Sequence, residues 1–365
     1  MSNDMTIAFA VDRWAELHAT TDAWWAGTLQ RPLLQLLTPG HDPGRPAPKL
    51  PHFSFPSFYD FSVPVEAIVD RYDYLYSCYH YCGDAFPHLF PNFGPGVAAV
   101  FFGARPENAP EKGTVWFHPP HHDQAIADLD FQLDRQHAWY QRLRDFLRAC
   151  NQRWHGAVQV GMTDLGGSLD ILSSFRPSDQ LLFDLYDAPN EIKRLNWRQH
   201  ELWWRAFAEF DACLRPGNPG WSAWSSLFST RPSYIFQCDF SYMIGPEMFA
   251  EFVMPELAAS FKKVANSVYH LDGPGEIPHL DQLLANPDLK CIQWVPTQPR
   301  FAEWCDLYKR IRAAGKRVQI AGPLEDLPRI AEAMGGLEGF AWTGECQNRE
   351  TGEAWLRKLG VRRHQ

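Results

Sequence analysis

Hydrophobic and polar positions divide the chain into two regimes. From about residue 155 onward, short apolar runs alternate with longer amphipathic stretches. The runs are Val158-Gln-Val-Gly-Met-Thr-Asp164, Tyr234-Ile-Phe-Gln-Cys-Asp239, Ser267-Val-Tyr-His-Leu-Asp272, Cys291-Ile-Gln-Trp-Val295, Val318-Gln-Ile-Ala321 and Gly339-Phe-Ala-Trp-Thr343. Helical spacing falls between them, over 168–175, 178–186, 189–213, 246–265, 276–285 and 300–314. Strand-like runs that alternate with helices predict a parallel sheet with crossover helices. An open doubly wound sheet loses its main support, because no Gly-rich dinucleotide fingerprint follows any of the runs.

The first part of the chain is less regular. Its pattern predicts an amphipathic helix over 11–36, a Pro-broken segment over 37–62 and a helix over 65–82. The apolar run Val97–Gly103 reads as a strand, 105–122 as a Pro- and His-containing loop, and 124–152 as a helix beginning near Asp123. The expected fold is α/β: a (β/α)8 TIM barrel over residues 96–365, with residues 1–95 as an N-terminal helical and irregular extension packed on it. Within 37–62, Phe53, Phe55, Phe58 and Phe61 argue for packing, since each stabilises by about 1.5–3 kcal/mol when fully buried.

Composition narrows the function classes. With 45% hydrophobic and 21% charged residues, the 365-residue chain reads as a globular enzyme. A net charge of -9, with no Lys/Arg block, argues against a nucleic-acid surface. No stretch approaches the roughly 18 apolar residues of a membrane span, and the first residues lack the apolar core of a secretion signal. The eight cysteines show no disulfide-framework spacing, which points to reduced thiols and a cytoplasmic protein. The 15 Trp and 25 Phe mostly fill core, with a minority available to line a pocket for a small-molecule substrate.

Polar residues gather at the C-terminal ends of the apolar runs, where barrels collect their catalytic groups. His270 and Asp272 are two apart on one strand and share a face. With Cys238 and Cys346 they form a candidate zinc set, since imidazole, thiolate and carboxylate are zinc ligands. The alternative is that both cysteines are buried as apolar groups and His270 only hydrogen-bonds within the barrel. Asp239 and Glu345, adjacent to the cysteines and pointing the other way on a strand, are candidate catalytic groups behind the ligands. Asp164, before Gly166-Gly167, is either a catalytic acid or base, or the cap of a helix starting near Ser168. Cys78, His80 and Cys82, and His118, His121 and His122, read as packing and surface features.

Three segments carry a resemblance to a known family. Ile244-Gly-Pro-Glu-Met-Phe-Ala-Glu-Phe-Val-Met-Pro-Glu-Leu257, Tyr269-His-Leu-Asp-Gly273 and Gly161-Met-Thr-Asp-Leu-Gly-Gly-Ser-Leu-Asp170 resemble segments of the uroporphyrinogen decarboxylase superfamily. The likeness runs over roughly residues 155–360 and implies a (β/α)8 barrel. The decarboxylase branch carries an N-terminal pair of arginines for its substrate's carboxylates; the matching region here offers Arg31-Pro-Leu-Leu alone. The other branch contains zinc-dependent methyltransferases with a His-x-Cys on one strand and a distant third Cys. His270 and Cys346 fit that pattern, with Asp272 in the middle position and Cys238 as a second sulfur. The resemblance thus implies a zinc-assisted methyltransferase or demethylase that moves a methyl group to or from a corrinoid or thiol. Any corrinoid would be free or on a separate protein, because the chain has no Asp-x-His-x-x-Gly segment. The alternatives are a metal-free decarboxylase of a carboxylated substrate, and a non-catalytic barrel that binds a corrinoid or tetrapyrrole.

Overall fold

The alternating half of the sequence folds as a parallel sheet with its helices between the strands. The computed structural model describes residues 7, 9, 10, 12–121, 124–215 and 217–361. Its strands are β1 (Leu33–Pro39), β2 (Tyr79–Gly83), β3 (His88–Leu89), β4 (Arg105–Ala109), β5 (Thr114–His118), β6 (Gln159–Val160), β7 (Ser233–Phe236), β8 (Asn266–Asp272), β9 (Leu289–Val295), β10 (Arg317–Ala321) and β11 (Phe340–Glu345). The main sheet has the order β2-β1-β11-β10-β9-β8-β7. Every pairing in it is parallel except that of β2 with β1. β3 and β6 make a separate parallel pair, and β4 and β5 an antiparallel one.

The sheet draws on both sides of the boundary expected at residue 95. The first helix ends at Ala26, where Gly27 takes a left-handed φ of 81°. That conformation closes a helix at little cost only for glycine. Residues 33–39, expected as the tail of that helix, are β1 instead. Leu33, Leu34 and Leu36 are all buried, as in a strand covered on both faces. The helix expected over 65–82 stops at Ser77, and the aromatic-rich Tyr79-His-Tyr-Cys-Gly83 becomes β2.

Two other expectations need correction. Val97–Gly103 is not a strand; Ala98–Phe101 forms a short, fully buried helix. A short apolar run buried on all sides has no period that separates helix from strand. The helix expected over 124–152 covers Ala138–Trp154, after a 3-10 turn at Ile126–Asp128. Its expected start at Asp123, like His122, lies outside the described residues. The Phe residues of 37–62 do pack: Phe55 is buried and stacks on Phe58 at 4.6 Å, while Phe61 meets Trp139.

Two helices position the site. Pro189–Leu214 starts with a proline in its first turn, where no N–H is needed, and buries Ile192, Leu195, Leu202, Ala206 and Phe210 along one stripe. The segment 246–261 is helical but irregular. Pro246–Met248 leads into a widened π turn at Phe249–Val253, then Met254–Phe261. Pro255 has no N–H to give to the preceding turn, and a wider turn relieves its ring.

Candidate metal centre and adjoining cavity

The carboxyl ends of β7 and β8 bring together Asp239, His270 and Asp272. One ligand atom from each lies within 4.8 Å of the others, and among the described residues no other trio of histidine, cysteine or carboxylate groups does so. His270 and Asp272 arrive there by strand alternation, since Tyr269 and Leu271, the residues that alternate with them, are buried on the other side. Asp239 arrives by a different route. β7 ends at Phe236, and Asp239 opens a 3-10 turn that runs to Met243. Strand alternation therefore does not extend to Cys238 and Asp239. Cys238 is fully buried while Asp239 joins His270.

A carboxylate beneath the turn sets it. Asp170 accepts the backbone N–H of Asp239 at 3.0 Å and of Phe240 at 2.8 Å. Asp170 lies on the short helix Ser168–Ser173, which Gly166-Gly167 presses against the end of β7. A side chain at Gly167 would place its Cβ 1.8 Å from the Gln237 carbonyl oxygen, so only glycine fits. The close approach expected of this glycine pair is to backbone. Asp164 does not cap that helix, whose N-cap is Gly167; its Oδ1 accepts the Gly166 N–H at 2.8 Å.

His270 is held in one tautomer. Gln293 Oε1 lies 2.5 Å from His270 Nδ1 and 3.2 Å from Trp224 Nε1. Indole N–H only donates, so the amide atom facing it must be oxygen. His270 Nδ1 consequently donates its proton to Gln293, and Nε2 keeps its lone pair for a ligand. Metal-binding histidines are oriented in this way.

The surrounding electrostatics are one-sided. Burial, followed by the charge of Asp239, pushes Asp170 up to about 8. Burial raises Asp164 to about 7 against the pull of the Gly166 N–H. Glu276, fully buried, rises to about 10 through burial and then Asp239. Its Oε2 accepts the Asp272 N–H at 3.2 Å, and its Oε1 has no partner. Asp239 is raised by burial, which His270 opposes and Asp272 reinforces.

The expected sulfur ligands stand apart. Burial, then Asp170 and Glu276, push the Cys238 thiol well above its ordinary value. Cys346 is buried beside Gly352 and Cys82, its N–H donating to the Leu37 carbonyl beyond the end of β11. β11 is three strand positions from β8, roughly 14 Å along the sheet. Glu345 is likewise remote from the trio.

A cavity of about 440 Å³ adjoins the centre. Gln293 and Trp224, which hold His270, are part of its wall, together with Gln35, Gln319, Thr343 and Glu345. The glutamines were missed by the sequence reading. Gln293 and Gln319 are cross-strand partners in the register of β9 and β10, and His270 is the partner of Gln293 on β8. A polar residue inside each of several apolar runs, such as Cys291-Ile-Gln-Trp-Val295 and Val318-Gln-Ile-Ala321, was the available signal.

No protein-family model and no curated protein matches the chain. Solved structures do. The fold is similar to that of a methyltransferase from Methanosarcina mazei, with a TM-score of 0.60 at 12% identity, over 94% of this chain and 98% of that one. At that identity the likeness is one of fold.

Proposed function

We propose that the protein is a metal-dependent methyltransferase, with zinc held by Asp239, His270 and Asp272. The convergence of these three groups around a histidine of fixed tautomer carries the reading. Three protein ligands with a free position are the composition of a catalytic zinc site. The six parallel strands of the main sheet and the β3–β6 pair total eight, and we read them as one closed barrel of the uroporphyrinogen decarboxylase type. The Tyr234 hydroxyl, which accepts the Leu165 N–H at 2.9 Å, supports closure between β6 and β7. The methyltransferase in the Methanosarcina neighbour's name agrees with this reading.

Bound zinc would supply a Lewis acid that lowers the pKa of a coordinated thiol or polarises a leaving group. The chain's own residues do the rest. Gln293 and Trp224 orient His270, Asp170 fixes the turn that presents Asp239, and Glu276 holds the Asp272 backbone. Asp164 and Asp170, raised to about 7 and about 8, are placed to hold a proton near neutral pH. The cavity, at the lower end of ligand-pocket volumes, does not fit an enclosed corrinoid. A corrinoid partner rests on the sequence resemblance alone. The decarboxylase reading is weaker, because among the described residues no Lys or Arg lines the cavity to hold a substrate carboxylate.

Metal analysis tests the proposal. Protein purified without chelator is expected to hold about one zinc per chain, and His270→Ala to lose it with the fold intact by circular dichroism. Zinc retained by His270→Ala, or full methyl-transfer activity in metal-free protein, would overturn it.

A further inference from the structure

The cavity beside the centre has an unusual chemical balance. Tyr76, Tyr79, Tyr81, Phe86 and Trp224 supply aromatic rings to its wall. Among the described residues, Glu345 is the one acidic residue in the lining, and no Lys or Arg joins it. The lining histidine, His88, is pushed down to about 4 by burial and stays neutral. Tyr79 lies close enough to Glu345 to feel its charge.

Strand register sets the depth of these groups. Glu345 pairs with Leu37, which pairs across β1 with Tyr81, so the carboxylate and the tyrosines share the outer level. Gln319 pairs with Ala341, four residues deeper on β11. Gln319 is 1% exposed, and its Oε1 has no hydrogen-bond partner. An enclosed amide oxygen without a partner costs roughly 1–3 kcal/mol.

We propose that this cavity binds a small methylated ammonium cation, with the onium head among Tyr79, Tyr81 and Glu345 at its outer level. Aromatic faces attract a cation through their quadrupoles, and a methylated head needs no hydrogen-bond acceptors of its own. A primary ammonium would be left short of partners against such rings, and a phosphate or carboxylate would meet Glu345 with no counter-charge. The inference rests on the methyltransferase reading for its meaning, since a methylated onium is a methyl donor, but the binding itself is independent of the metal.

Choline and its neutral isostere 3,3-dimethylbutan-1-ol are suitable probes, titrated by ligand-observed NMR against the full chain with and without zinc. Choline is expected to bind at least tenfold more tightly than the isostere, and Glu345→Gln to remove most of that difference while leaving isostere binding unchanged. Equal affinity for the two probes would overturn the proposal, as would no saturable choline binding up to about 10 mM. Asp272→Asn, outside the cavity wall, separates this inference from the metal reading. It is expected to weaken zinc binding and leave choline binding within twofold. Choline affinity lost together with zinc would place the onium at the metal and overturn the cavity assignment.

Discussion

The mouth of the strand array holds two neighbouring regions built on opposite electrostatic plans. At the ends of β7 and β8, buried carboxyls crowd together: Asp164 and Asp170 are raised to about 7 and about 8, and Glu276 to about 10. Towards β9, β10, β11 and β1, the cavity wall is made of glutamines and aromatic rings, with Glu345 its one acidic residue among the described residues. The first region crowds carboxyl groups whose ionisation is opposed by burial and by one another. The second spreads neutral hydrogen-bonding groups around a space suited to an organic molecule. Gln293 belongs to both, because it lines the cavity and accepts the His270 proton. A shared residue of this kind lets the occupant of one region bear on the other.

The sharpest way to break the comparison is to cut that link. In Gln293→Leu, His270 loses its acceptor and its fixed tautomer, and Trp224 loses the acceptor for its N–H. Zinc affinity is expected to fall by 10–100-fold, the usual effect of removing a residue that orients a metal-binding histidine. Competition with a chromogenic chelator measures it. An unchanged affinity would mean that the glutamine serves the cavity alone.

A smaller effect tests the acidic region. Asp164 has a folded value of about 7, above the roughly 3.9 of an unfolded chain. Its contribution to stability is therefore complete below about pH 4 and is lost as pH rises through about 7. Asp164→Asn keeps an oxygen for the Gly166 N–H and removes the buried charge. In metal-free protein at pH 8.5 the variant is expected to melt about 1–3 °C above the natural chain, for a gain of about 1–2 kcal/mol. The difference should shrink towards zero at pH 5. Equal destabilisation at both pH values, read by differential scanning fluorimetry, would show that Asp164 carries no such penalty.

The smallest effect is expected at the cysteine. Cys346→Ser lies outside the trio and should change zinc affinity by less than about twofold, since distant sites contribute nearly independently. A tenfold loss would return Cys346 to the centre.

These tests rank residues that the sequence alone could not rank. Alternation of apolar runs and helices after residue 155 determined the α/β class and the parallel strands β7 to β11, because the periods of buried strands and amphipathic helices are written in local sequence. The same local rule placed His270 and Asp272 on one face. It gave no access to β1, whose Leu-rich run continues an amphipathic pattern and becomes a strand only by pairing with β11 and β2. Nor did it separate Asp239 from Cys238. That choice was made by Asp170, 69 residues earlier, which captures two N–H groups and turns the chain after β7. The cavity glutamines were visible as polar interruptions of apolar runs, yet their convergence depends on strand register. Sequence spacing limits which residues can share a face, while tertiary contacts between distant segments decide which of them meet.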